Sequence, residues 1–270
     1  MSIQNEDIII IGAGITGLHL AQRLKLRHQD CLILEKSKGL GGRVATRRID
    51  GLGLDHGAAF LEGKFFHGGM NSLAKEMGKN LNVCKSQKVQ TISKTAQGWN
   101  LQTEEGLSFF CKKLVLTAPL PQALELLSQN SLGPVSLERE IKYSKAIIYL
   151  AILNNIEKDL VSTNFEEHEF LLMRERELHP RGLVIQLSQD FSEKHFEQSD
   201  EKILSLIGPI WAQSPFAGVT VEKFELKKWR YSRALSSYSS PYAEVHPGLF
   251  LCGDAFGSPF ASAEAVAQVL

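Results

Sequence analysis

Three glycines (Gly12, Gly14 and Gly17), an acid at Glu35 and an arginine at Arg43 have the types and spacing to hold a dinucleotide. Gly12 permits a tight turn out of a strand, Gly14 lets a pyrophosphate approach the backbone, and Gly17 lets the following helix close on the strand with no Cβ in the way. The start of that helix aims free N–H groups and its positive dipole end at the phosphates. Glu35, about 20 residues beyond the glycines, can accept hydrogen bonds from a ribose hydroxyl. Gly41-Gly42-Arg43 adds a second close backbone approach and a fork of donors for a diphosphate. The alternative is a basic, solvated loop running on to Arg47 and Arg48.

These groups work only if regular elements place them. Residues 8–11 form a β-branched apolar run that reads as a buried parallel strand, followed by a helical pattern and a second strand over 31–34 that ends in Glu35. Residues 89–93, 99–103 and 107–111, separated by Gln97-Gly98 and Glu105-Gly106, read as an antiparallel meander. The third strand runs on to Thr117 and Ala118 and is stopped by Pro119, which returns the chain to the parallel sheet. Residues 248–255 form a short apolar strand ending in Gly253-Asp254, and Ser258-Pro259 starts a helix that runs to Leu270. Asp254 there can bind a sugar-alcohol chain; the bland alternative is a plain strand-turn-helix.

Residues 121–228 differ in pattern. Helices are expected over 121–129 and 201–211, the second capped by Ser199, and strands over 146–153 and 183–187; the charged run 174–177 reads as a solvated turn. The expected fold class is therefore α/β, a doubly wound Rossmann-type dinucleotide-binding domain with an inserted mixed α/β substrate domain. Its boundaries are 1–120 and 229–270 for the first domain, with the meander near 85–112, and 121–228 for the second.

Two further stretches carry candidate chemistry. Asp55-His56-Gly57-Ala58-Ala59-Phe60 is small in the middle, which suits backbone packed against a flat ring; His56 is either a proton carrier or a buried hydrogen-bonding histidine. In Trp229-Arg230-Tyr231, Arg230 could meet a phosphate while its neighbours offer a flat apolar face, against packing plus a solvated guanidinium. His56, Arg230 and Tyr231 are thus the catalytic candidates.

At 270 residues and 43% hydrophobic, the chain can bury a sizeable core, and 30 basic against 30 acidic residues give no field toward nucleic acid or an anionic membrane. Cys31, Cys84, Cys111 and Cys252 are scattered without metal-site spacing, which reads as buried thiols in a reducing compartment. A strand beginning seven residues in and the lack of an apolar run of ~20 residues argue for a cytoplasmic protein with no signal peptide and no membrane span.

Taken together, the glycine triplet, Glu35, Gly41-Gly42-Arg43, Gly68-Gly69-Met70 and Gly253-Asp254 resemble the flavin amine oxidase superfamily. GRVATRR followed by LDHGAAF, the FSEKHFE stretch at 191–197 and Trp229-Arg230-Tyr231-Ser232 resemble, more narrowly, the renalase-like family. The resemblance implies non-covalent FAD. The cofactor set it implies is Gly12, Ala13, Gly14, Ile15, Thr16, Gly17, Gly42 and Arg43 around the pyrophosphate, with Glu35 and Lys36 at the adenosine ribose. Val89 would reach the adenine through its backbone, Thr117 and Ala118 would end the central strand, Gly253 and Asp254 would meet the ribityl chain, and His56, Gly57, Ala58 and Ala59 would lie beside the isoalloxazine. The implied activity is hydride transfer from a dihydronicotinamide-type substrate to flavin N5, with reoxidation by oxygen to hydrogen peroxide. A small-amine or other flavin oxidase and an FAD-binding protein without turnover are the alternatives. The chain carries one glycine fingerprint, so a nicotinamide nucleotide would enter as substrate. The segment 60–68 is shorter than the family norm, and Phe191 stands where relatives carry tryptophan.

Overall fold

A computed structural model describes residues 3–58, 68–154, 163–173 and 182–270, and these fall into two compact units. The first comprises 1–44, 71–142 and 234–270, and the second 45–70 and 143–233. Ala59, residues 60–67 and the charged run 174–177 lie outside the described residues.

In the first unit, five strands run parallel in the order Val83–Lys85, Leu32–Glu35, Gln4–Ile11, Ser108–Leu116 and Leu249–Leu251, with Ala243–His246 antiparallel at the far edge. Numbered along the chain, the parallel strands lie 3-2-1-4-5, which is the doubly wound Rossmann arrangement. Ile9, Ile10, Leu32, Ile33 and Leu34 are almost wholly buried, because strands covered on both faces need continuous apolar runs rather than alternation. The strand order reverses between Gln4–Ile11 and Ser108–Leu116, and ligands of such sheets bind at the carboxyl ends of the strands flanking that reversal. Those ends are Gly12 and Thr117, and the next strand ends at Cys252-Gly253.

The meander is present as Val89–Lys94, Trp99–Thr103 and Ser108–Leu116. Its last strand pairs antiparallel with Trp99–Thr103 and parallel with Gln4–Ile11, so one strand serves both meander and central sheet. The helices expected over 121–129 and 258–270 are Leu120–Gln129 and Pro259–Val269. The closing helix packs on Ile15–Leu26, where Glu264 meets Arg23 at 2.7 Å and His19 at 3.2 Å.

The second unit is built on a five-stranded sheet in the order Thr163–Phe165, His168–Met173, Gly182–Gln186, Tyr143–Asn154 and Thr220–Ala234. Tyr143–Asn154 is apolar on both sides because both are covered. Ile147, Tyr149 and Ala151 join a core with Ile203, Ile207 and Phe216, whereas Ala146, Ile148, Leu150 and Ile152 meet Ile49 and Leu54 of the hairpin Thr46–Ile49/Leu52–Asp55. Helix Asp200–Gln213 covers the first face, and Ser199 caps it by accepting the Lys202 N–H at 3.3 Å.

This grouping departs from the sequence expectation at three places. Residues 45–70 join the second unit because Ile49 and Leu54 bury themselves on its sheet. Residues 121–142 stay with the first unit, and 229–233 belong to the second because Thr220–Ala234 is one continuous edge strand of its sheet. Local patterning announces a strand but not the sheet it joins.

Candidate functional site

The first unit brings the fingerprint residues into one place. Gly12 adopts φ +109°, and a Cβ there would meet Thr117 Oγ1 at 2.7 Å. That hydroxyl donates to the Ile11 and Gly12 carbonyls at 3.0 and 3.1 Å, pinning the turn to the neighbouring strand. Thr117 therefore acts through its side chain on the turn. A Cβ on Gly17 would lie 2.0 Å from the Gly12 carbonyl oxygen, so the close approach of helix to strand admits only glycine.

Gly14 is different. It is the N-cap of Ile15–Leu26, no side chain caps that helix, and a Cβ built on it meets nothing within 4 Å. Gly41, at φ +113°, pairs with Gly14 and donates its N–H to the Ala13 carbonyl at 2.8 Å, while Gly42 takes φ +56° with its side-chain position 3.4 Å from the Gly14 Cα. The two glycine turns thus face each other across a cradle without side chains at a helix N-terminus, which is what a pyrophosphate requires. Ile15 and Thr16 are buried in the first turn of that helix, and exposed Lys36 follows the second strand.

Glu35 is buried with both carboxylate oxygens engaged: Oε2 accepts the Ala13 N–H and Oε1 the Ser37 N–H, each at 2.7 Å. It ties the end of the second strand to the first glycine turn, a role that spacing did not reveal. Val89 is buried at a bulge opposite Thr103. Ala118 follows the central strand, half-buried. Gly253, at φ +137°, donates its N–H to Ser262 Oγ at 2.9 Å, and Asp254 Oδ2 meets the Arg43 guanidinium at 2.5 Å and the Ala234 N–H at 3.3 Å. Arg43 and Asp254, read separately from sequence, form one charged pair.

In the second unit, Asp55 Oδ1 accepts from the Thr46 hydroxyl at 2.5 Å and the Met70 N–H at 2.8 Å, and burial raises its carboxyl pKa against both bonds. His56 follows. Its ring stacks on Trp229 with centroids 5.5 Å apart and planes at 19°, and Trp229 Nε1 donates to the His56 carbonyl at 2.6 Å. Its Nδ1 is buried with no hydrogen-bond partner among the described residues. Burial first, then the Lys227 charge, lowers its pKa to about 4, so the imidazole is neutral near pH 7. Gly57 and Ala58 continue from it, half-buried.

The expectation that Trp229, Arg230 and Tyr231 line one pocket is not met. Successive strand residues point to opposite faces. Trp229 packs against the core cluster that contains Ile49 and Leu54, on the hairpin side. Arg230 lies over the Phe196 ring at 5.0 Å on the other side and pairs with both oxygens of Glu197 at 2.7 and 3.1 Å. Tyr231 stands edge-on to Tyr143, with centroids 5.8 Å apart. Arg230 is thus a surface ion-pair residue.

Comparison with known proteins gives two family matches, each of which runs through both units. The NAD(P)-binding Rossmann-like domain family matches residues 10–76, and the flavin containing amine oxidoreductase family matches residues 61–152. Each of the two family matches covers about a third of the chain or less. Among curated relatives, polyamine oxidase 7 of Oryza sativa is 42% identical over 57 residues (21% of this chain, 12% of the relative). The zeta-carotene-forming phytoene desaturase of Myxococcus xanthus is 39% identical over 56 residues (21% and 11%). The chain spans only about a tenth of the length of these two relatives. A structure of putrescine oxidase redesigned in cofactor binding aligns with a TM-score of 0.76 at 13% identity, covering 99% of both chains. The CLA-producing fatty acid isomerase of P. acnes aligns with a TM-score of 0.71 at 11% identity, covering 98% of this chain and 97% of its own. At that identity the likeness is one of fold. The matched oxidoreductase family is flavin-containing, and the open position at Gly14, the Gly42 turn beside it and the carboxylate of Glu35 are of the kind that the diphosphate and ribose of FAD require.

Proposed function

We propose that this chain is an FAD-dependent oxidoreductase of the oxidase type, acting on a small organic donor, and that the donor is a dihydronicotinamide of the kind oxidised by renalase-like proteins. The observation that carries the cofactor reading is the glycine cradle. Gly14 is open where a side chain would stand, while Gly12 and Gly17 are closed around their neighbours. Gly12, Gly14, Gly17, Gly42 and Arg43 would meet the pyrophosphate, Glu35 the ribose, Val89 the adenine side, and Asp254 the ribityl chain. Bound FAD would supply the hydride acceptor and the oxygen-reactive centre, and the protein supplies position and electrostatics.

The donor reading is supported by the second unit and by the single fingerprint. A neutral imidazole stacked on an indole makes an uncharged flat wall, suited to a dihydropyridine ring. Because the chain carries only one glycine fingerprint, a nicotinamide nucleotide would be consumed as substrate. A second reading, oxidation of a small amine, is favoured by the amine oxidoreductase match over residues 61–152 and by the polyamine oxidase relative.

Anaerobic mixing of the FAD-loaded protein with 2- or 6-dihydro isomers of NAD(P)H, and separately with primary amines, tests the two. Bleaching by the isomers alone supports the first reading, and rapid bleaching by amines supports the second. Bleaching by neither would leave an FAD-binding protein without turnover.

A further inference from the structure

With Arg230 turned to the other face, the cations near His56 among the described residues are Lys227 and Arg47, and both bear on a single acid. Arg47 Nε donates to the two oxygens of Glu225 at 2.9 and 3.0 Å, and Lys227 Nζ sits 2.6 Å from Glu225 Oε2. Glu225, Lys227 and Trp229 alternate along one strand, and the contacts of Glu225 with Arg47 and of Trp229 with His56 place them on the hairpin face. Two cations on one carboxylate leave one net positive charge. The Lys227 and Glu225 side chains are 31% and 27% exposed and that of Arg47 51%, so the cluster is open to an anion from solvent and its charge is partly screened there. It lies close enough to His56 that Lys227 and Arg47 both lower its pKa, while Glu225 raises it.

We infer that the Arg47–Glu225–Lys227 clasp is an anion subsite for the phosphate of a planar heterocyclic donor whose ring lies at the His56–Trp229 stack. Two residues of strand advance about 7 Å, comparable with the reach from a nucleobase across its ribose to the 5′-phosphate. Glu225 keeps the two cations together, and a phosphate completes the charge balance that one carboxylate leaves open. This rests on the dihydronicotinamide reading given above, and it names the residues that would discriminate phosphorylated from unphosphorylated donors.

The test compares 2- and 6-dihydronicotinamide mononucleotide with the corresponding ribosides on the FAD-loaded protein. A KM about tenfold lower for the mononucleotide is expected, and Lys227→Gln should collapse the ratio of the two KM values toward one. A parallel NMR titration of the His56 imidazole with inorganic pyrophosphate reads the clasp without turnover. A bound anion should raise the His56 pKa above about 4, and Lys227→Gln should abolish the response. Equal KM values for mononucleotide and riboside, or a His56 signal indifferent to pyrophosphate, overturns the clasp. Failure of both donors to reduce the flavin while His56 still responds overturns the donor reading and sustains the anion subsite.

Discussion

The Arg43 guanidinium and the Asp254 carboxylate lie 2.5 Å apart although 211 residues separate them in the chain. Both side chains are largely buried, at 30% and 20% exposure, and removing Arg43 leaves the Asp254 carboxylate with the Ala234 N–H but without this cation. Arg43→Ala should therefore lower stability by about 1–2 kcal/mol, less than the loss of a fully buried pair, and weaken FAD as well. Thermal unfolding and FAD fluorescence titration read the two effects separately. An unchanged melting temperature would show that the pair contributes nothing to the fold.

Gly14 and Gly17 separate folding from binding. The Gly17 Cβ position is 2.0 Å from a backbone oxygen, whereas that of Gly14 is open. Gly14→Ala should fold normally, because φ is −73° there, yet lose most FAD affinity as the methyl enters the cradle. Gly17→Ala should fail to fold or melt far lower. If Gly14→Ala bound FAD with wild-type affinity in equilibrium titration, the cradle would not be the pyrophosphate site.

Glu35 has a structural duty besides the ribose contact proposed for it. Its two oxygens accept backbone N–H groups of Ala13 and Ser37, and charged hydrogen bonds contribute roughly 1.5–3 kcal/mol each. Glu35→Ala should weaken FAD about tenfold to a hundredfold and also lower the denaturant midpoint of the apoprotein. Loss of affinity with an unaltered midpoint would contradict the tether.

His56 makes stability depend on pH in a definite direction. Burial, with help from Lys227, brings its pKa from 6.5 to about 4 in the folded chain. The unfolded state then binds more protons between those values, so stability is complete above about 6.5 and falls as pH drops toward 4. The Asp55 carboxyl, raised by burial, opposes part of this slope. Comparing wild type with His56→Asn by denaturant unfolding across that window isolates the histidine. The variant should show the shallower acid loss.

What the sequence by itself determined is local. The glycine triplet, the β-branched runs before it and the acid closing the second strand specify a strand-turn-helix-strand unit, because each constraint lies within a few residues of the next. The meander and its continuation to Leu116 were legible for the same reason, as turn residues and period-two alternation share one stretch of chain. Only the tertiary structure decided which sheet each strand joins and which way its side chains face. The hairpin Thr46–Asp55 sits one residue group past the fingerprint, yet Ile49 and Leu54 find their apolar partners in Ala146, Ile148 and Val184, a hundred residues on. Trp229 and Arg230 are adjacent, yet one stacks on His56 and the other pairs with Glu197. A pleated strand sends neighbours to opposite faces, and nothing in a Trp-Arg-Tyr triplet says what covers each face. The pairing of Arg43 with Asp254 is of the same kind: each charge is visible in the sequence, and their meeting follows from the order of parallel strands.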